Sequence, residues 1–164
     1  MIKLRKSIRL KNYDYSNSGY YYVTICSRNR RCYFGNIIDS KLMLNDSGIM
    51  LSTVWENMPL YNPGVKMDRF VIMPNHIHGI VILNGKSPKS KPLSDIIKQF
   101  KSLTTKKYID GVKNHLWQSF DKKLWQRNYY EHIIRNEENT NKIRQYIIEN
   151  PLKWAEDKNN PVNI

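Results

Sequence analysis

His76 and His78 stand two residues apart in the stretch Val71-Ile72-Met73-Pro74-Asn75-His76-Ile77-His78-Gly79-Ile80-Val81-Ile82-Leu83. It reads as an apolar strand, a tight break at Pro74-Asn75, and a second apolar strand that begins with the histidines. Successive side chains of a strand point to opposite faces, so His76 and His78 share one face, where neutral imidazoles can hold one metal ion. A metal so held can polarise a phosphate oxygen and stabilise the charge that develops as phosphorus is attacked. It then needs a further ligand and a nucleophile. Tyr146-Ile147-Ile148-Glu149-Asn150 offers both, because residues i and i+4 lie on one face of a helix. The Asn150 amide can join the metal while the Tyr146 hydroxyl attacks. A tyrosine oxygen that displaces a DNA leaving group forms a phosphotyrosine, which keeps the energy of the broken bond available for rejoining.

Each of these residues also has a plainer reading. A histidine on an apolar strand is more often a core residue than a ligand. Tyr146 beside Ile143 and Ile147 is, taken alone, a core aromatic, and Asn150 before Pro151 is an ordinary helix end. Tyr129 and Tyr130, next to Glu131 and His132, compete with Tyr146 for the nucleophile role. Tyr146 is favoured because its own helix supplies a ligand one turn later.

Several elements must position these groups. Ile80 and Ile82 continue the histidine face, while Ile77, Val81 and Leu83 line the other, so this strand is expected to be central and covered on both sides. Tyr20–Cys26 is a strand by its aromatic and β-branched content. It runs into Ser27-Arg28-Asn29-Arg30-Arg31, either a solvated turn or a clamp for a phosphate backbone. Phe34–Ile38 and Leu42–Leu44 form a hairpin. Ser47 is expected to cap a helix that ends at Met58 before Pro59. Met67–Met73 is a strand, and Asn84–Lys91 is a polar, basic loop. Leu93, Ile96, Ile97, Phe100 and Leu103 form the apolar stripe of a helix to Tyr108, followed by an irregular stretch from Gly111 to Lys123. Leu124–Arg127 reads as the last strand, with Asn128–Arg135 ambiguous. The last helix starts at the cap Asn136, with Glu137 and Glu138 in its positive first turn. Trp154 packs back on the body. The pattern predicts an α+β fold, an antiparallel or mixed sheet with helices packed on one face. A ferredoxin-like arrangement is the simplest topology.

The 164 residues fit a single domain over 1–164, with a basic arm over 1–15 and a tail over 155–164. There are 27 Lys+Arg against 14 Asp+Glu, a net charge of +13. This points to a polyanion, nucleic acid before membrane, since the cations are spread along the chain among aromatics. Lys3 and Arg5 in the arm, with Arg28, Arg30 and Arg31, are the candidate backbone contacts. Two cysteines without CxxC spacing suit a reducing compartment. With no apolar run near the roughly 18 residues that span a bilayer, a cytoplasmic, nucleoid-associated protein of a prokaryote is expected, without membrane partners.

Met73-Pro74-Asn75-His76-Ile77-His78-Gly79-Ile80 resembles the histidine–hydrophobic–histidine (HUH) motif of the single-tyrosine transposases. Trp125–Glu138 and Ile143–Trp154 resemble the signature of the REP-associated tyrosine transposases, and the likeness extends from about Tyr20 to Trp154. The resemblance implies the ferredoxin-like HUH endonuclease fold and a divalent metal, Mg²⁺ or Mn²⁺. It also implies cleavage and joining of single-stranded DNA beside a hairpin. His76 and His78 match the metal pair, and Tyr146 matches the nucleophile. Asn150 stands where relatives in mobile elements usually have Gln. From the residues themselves, Glu131 and His132 are expected to serve either structurally or as support behind the site, with His132 a candidate proton carrier near neutral pH. The wider family includes monomers and also dimers in which the tyrosine helix serves the partner's metal site, so a homodimer is one of the expected states. Three functions are in play: a DNA transesterase, a hairpin-binding module that does not cut, and a metal-dependent phosphohydrolase that uses water.

Overall fold

The computed structural model describes residues 18–85 and 89–164. Lys3, Arg5 and their arm lie outside these residues, as does the centre of the Asn84–Lys91 loop. In chain order the elements are β1 (Gly19–Cys26), β2 (Gly35–Ile38), β3 (Lys41–Leu44), α1 (Asp46–Tyr61), β4 (Val65–Ile72), β5 (His76–Leu83), α2 (Leu93–His115), β6 (Tyr130–Ile134) and α3 (Glu137–Glu149). Four strands form an antiparallel sheet in the order β4-β5-β1-β6, and β2-β3 is a separate hairpin. Strand, helix, two strands, helix and strand in that order make the expected ferredoxin-like α+β core.

Alternation along β1 and β5 sorts the two faces. Tyr21, Val23, Ile25, Ile77, Val81 and Leu83 turn to one side and join Leu51, Trp55, Met58, Ile96 and Phe100 of α1 and α2 in the main core. Gly79 belongs to this face. A β-carbon there would collide with the Trp55 indole, so its absence lets α1 seat its largest side chain on the sheet. The opposite face carries a smaller cluster of Tyr22, Ile80, Ile134 and Ile147, flanked by Val71, Ile82 and Ile143. Helices therefore cover both faces rather than one. α3 has its own side, shared with the histidines.

Local differences from the expected elements have physical causes. The cap of α1 is Asn45, whose Oδ1 accepts from the Gly48 N–H at 3.0 Å; Ser47 lies inside the helix and donates to the Tyr33 carbonyl at 2.8 Å. Pro59 sits within the last turn and does not end the helix, which reaches Tyr61. α2 runs on to His115, because Gly111 is used to admit the Trp117 ring against the helix and does not break it. β6, not Leu124–Arg127, is the last strand of the sheet. The latter segment forms a single bridge, Ser27 to Trp125, that prolongs the edge of β1 beyond the point where β6 stops. Asn136 caps α3 as expected, accepting from the Asn139 N–H at 2.8 Å. Pro151 lacks the donor that a further α-turn needs, so the chain tightens into a 3₁₀ segment, Asn150–Glu156.

Candidate metal and nucleophile site

The hairpin between β4 and β5 delivers both histidines to the mouth of the most buried strand. His76 is fully buried and His78 is 3 % exposed. Their partner residues across β1 are Cys26 and Thr24. The two Nε2 atoms face each other at 3.0 Å, and the Asp157 carboxylate lies 3.6 Å from Nε2 of His76. Neighbouring ligands of an octahedral ion, each about 2.1 Å from it, stand about 3 Å apart. The imidazole pair has that spacing.

The hydrogen bonds behind the rings fix which nitrogen is free. The Asn75 amide nitrogen donates to the carbonyls of Arg30 (2.8 Å) and Asn159 (2.7 Å). Its oxygen must then accept from His76, so the proton sits on Nδ1 at 2.7 Å and leaves a lone pair on Nε2. His78 Nδ1 has two hydroxyl partners, Tyr22 at 2.7 Å and Thr24 at 2.8 Å. Burial away from water, with a smaller push from Arg30 and Lys158 on His76 and from His76 on His78, lowers both imidazoles to about 3. Each ring is therefore neutral, as a metal ligand must be.

The segment after α3 closes the site. The Trp154 ring stacks beside His76, with centroids 6.1 Å apart. Asp157 is anchored by accepting from the Asn159 N–H at 2.7 Å. His76, His78 and Asp157 form the group of metal-capable side chains among the described residues. The stretch read as a tail thus supplies a carboxylate. Asn150 is buried, and its Oδ1 has no hydrogen-bond partner among the described residues. An orphaned amide oxygen of this kind is a free ligand atom in search of a cation or donor. The two imidazoles and the carboxylate that converge here form a donor set that fits a divalent ion.

Tyr146 projects from α3 over this group, its ring centroid 5.6 Å from that of His78 and 6.4 Å from that of Tyr22. It is 43 % exposed and lines an open cleft. Tyr130 packs edge-on to Tyr22 and lines the same cleft of about 430 Å³, together with Tyr129 and Arg30. Tyr22 is buried, which raises its phenol far above the ordinary range and keeps it neutral. α3 is held to the sheet by the Ile143–Ile147 stripe and by Arg144, whose guanidinium donates to the Asp68 carboxylate of β4.

The remaining candidates are placed differently. Glu131 pairs with Val23 across the sheet and so belongs to the α1–α2 side, away from the histidines. One residue of register decides this, since neighbours in a strand alternate faces. His132 pairs with Tyr22 on the histidine side and is exposed. Arg30 enters the cleft, with its Nε buried and without a hydrogen-bond partner among the described residues. Arg28 lines the adjoining hollow, while Arg31 is exposed and its carbonyl accepts from the Ser27 hydroxyl. Asp157 was missed because 79 positions separate it from His78 and no spacing rule spans such a gap. Asn75 was read only as a turn residue, although its position beside His76 placed an amide next to a ligand.

Residues 15–150 match the family profile described as "Transposase IS200 like". The chain belongs to the IS200-like transposase family. An "uncharacterized protein" of Haemophilus influenzae is 41% identical over 167 residues, which cover 94% of this chain and 92% of that protein. Among solved structures, a REP-associated tyrosine transposase bound to a REP hairpin superposes with a TM-score of 0.63 at 24% identity, over 92% of this chain and 76% of the other. A protein of Deinococcus radiodurans R1 described as a candidate transposase gives 0.51 at 18% identity, over 87% and 96%. Both likenesses support the fold. No described helix is long and apolar enough to cross a membrane.

Proposed function

We propose that this transposase-family chain is a metal-dependent transesterase that cuts and rejoins single-stranded DNA beside a hairpin through a phosphotyrosine. One observation carries the reading. Tyr146, partly exposed, stands over His78 at the point where two neutral imidazoles and a carboxylate converge. His76 and His78 would hold the ion, Mg²⁺ or Mn²⁺, with Asp157 and the Asn150 oxygen completing its protein ligands. Such an ion, when bound, supplies positive charge to a phosphate oxygen and to the group that leaves.

The chain's own residues do the rest. Asn75 holds His76 in the tautomer that leaves Nε2 free, and Tyr22 with Thr24 orients His78. Arg30 and Lys158 add positive charge to the cleft. The Tyr146 oxygen attacks phosphorus, and its proton passes to solvent. One strand end becomes bonded to the tyrosine, and the other leaves as a hydroxyl. The reverse attack by a strand hydroxyl rejoins DNA and frees Tyr146. Arg28 and Arg31 are proposed contacts to the DNA backbone outside the cleft, and Lys3 and Arg5 of the arm are proposed backbone contacts as well. Nucleophile and metal residues meet within one chain, which supports a site complete in a monomer.

The test is to incubate the protein with Mg²⁺ or Mn²⁺ and labelled single-stranded DNA carrying a hairpin from its own genomic neighbourhood. A denaturation-resistant protein–DNA adduct is expected, lost in Tyr146→Phe and in His76→Ala. Cleavage without an adduct, surviving Tyr146→Phe, would mean a hydrolase. Binding without cleavage would mean a recognition module.

A further inference from the structure

The two imidazoles are held from behind by groups of different kinds. Behind His76 stands the Asn75 oxygen, which only accepts; behind His78 stand two hydroxyls, which both donate and accept. Asn75 donates its amide protons to the carbonyls of Arg30 and Asn159, so the His76 proton stays on Nδ1. Nε2 of His76 is then a bare lone pair, 3.0 Å from Nε2 of His78. That separation is a hydrogen bond if a proton lies between the nitrogens, and a repulsive contact if none does. Only His78 can supply that proton.

With its proton on Nε2, a neutral His78 presents a bare Nδ1 to the hydroxyls. Tyr22 donates to it at 2.7 Å, and Thr24 donates to the Tyr22 oxygen at 3.4 Å. These buried groups form one directed chain, from Thr24 through Tyr22, His78 and His76 to Asn75, in which every donor is answered. A metal ion held by both Nε2 atoms needs a lone pair on each, which this chain does not offer. His78 must then carry its proton on Nδ1. Thr24 Oγ1, 2.8 Å from Nδ1, accepts it, and the Tyr22 hydroxyl turns to the cleft that both residues line.

We propose that His78 changes tautomer when the metal ion binds, and that the Tyr22 and Thr24 hydroxyls are the reversible partners that permit the change. The Nε2 proton passes to water in the cleft and water returns a proton to Nδ1, so the ring is neutral before and after. His76, clamped by Asn75, keeps one tautomer throughout. The ion thus competes with a hydrogen bond that the protein makes with itself, and the metal-free chain keeps both rings satisfied. The inference rests on the proposed function only in taking His76 and His78 as the metal pair.

The experiment uses the full-length chain with isotope-labelled histidine. Long-range proton–nitrogen correlation spectra near neutral pH tell a bare ring nitrogen from a protonated one. In the metal-free protein, His76 is expected to be protonated on Nδ1 and His78 on Nε2. Saturating Mg²⁺, or Zn²⁺ as a second diamagnetic probe, should move the His78 proton to Nδ1 and leave His76 and the reference ring His115 as they were. A His78 protonated on Nδ1 before any ion is added, or unchanged by both ions, would overturn the proposal. Calorimetric Mn²⁺ titration then tests the hydroxyls. Either one alone both donates and accepts, so Tyr22→Phe and Thr24→Val should each keep the exchange and weaken Mn²⁺ binding less than about threefold, whereas the double variant, with no acceptor for the Nδ1 proton, should lose about 10- to 100-fold. A double variant that is folded by circular dichroism and binds Mn²⁺ as the wild type does would overturn the role of the hydroxyls; if it does not fold, the wild-type spectra still decide the exchange. Adduct formation on hairpin DNA is scored separately. A tautomer change without any adduct would uphold the exchange and reject the transesterase, and an adduct with an unchanging His78 would do the reverse.

Discussion

The two faces of the central sheet are built from the same strands and do opposite jobs. The α1–α2 face is mostly apolar and interlocked: Trp55 rests on Gly79, and Phe100 packs edge-on to Trp55 with centroids 5.3 Å apart. The α3 face has a small apolar cluster and, beyond it, buried polar groups: His76, His78, Asn75 and Asn150. Burying such groups costs stability unless each finds a partner. The difference teaches that the first face makes the fold and the second is sustained by it. Changes on the first should act on stability, and changes on the second on chemistry.

The largest separation is expected between Tyr146→Phe and Trp55→Ala. Loss of the Tyr146 hydroxyl should abolish the adduct while the melting temperature moves by no more than about 2 °C, since an exposed hydroxyl contributes little to the fold. Truncating Trp55 should cost about 3–5 kcal/mol, a fall in melting temperature of about 6–20 °C. A Tyr146→Phe protein that unfolds, or a Trp55→Ala protein of full stability, would break the division of labour.

Acid should separate the faces next. In the metal-free protein both imidazoles ionise near 3, against 6.5 in the unfolded chain. Between those values the unfolded chain binds more protons. Stability is therefore fully present above about pH 6.5 and is lost as pH falls toward 3, by at most about 1.4 kcal/mol per pH unit for each ring. Melting curves at pH 7 and pH 5 should show the loss, and His76→Gln/His78→Gln should flatten it. An unchanged pH dependence in that variant would show that the rings are not buried neutral.

Asn75→Ala should lower metal affinity about 10- to 100-fold, as loss of a group that orients a ligating histidine does. Calorimetric Mn²⁺ titration measures it, and wild-type affinity would remove Asn75 from the site. The smallest effect is expected from Arg144→Ala. Its pair with Asp68 is partly exposed, so stability should change by no more than about 1 kcal/mol. A slower adduct rate at unchanged stability would show that the pair also steers α3.

How much of this was legible depended on sequence distance. The period of two along β5 put His76 and His78 on one face and sorted Ile77, Val81 and Leu83 from Ile80 and Ile82; the two apolar clusters divide them in the same way. The period of α3 placed Tyr146 and Asn150 on one side, and Asn136 was readable as its cap. What escaped was set by tertiary approach. Asp157 reaches His76 only because the chain doubles back after Pro151. Glu131 looked like a neighbour of the site until the register with β1 turned it to the other face. Leu124–Arg127 has strand composition, but it pairs only where β6 leaves the edge of β1 vacant.

The central claim is that Tyr146 is the nucleophile, and the most direct measurement is the site of attachment. The protein is incubated with Mn²⁺ and hairpin-bearing single-stranded DNA, denatured, digested with protease and nuclease, and sequenced by mass spectrometry. A nucleotide on the peptide that contains Tyr146 is the predicted result. A nucleotide on Tyr129 or Tyr130, or DNA cut with every tyrosine unmodified, would contradict it.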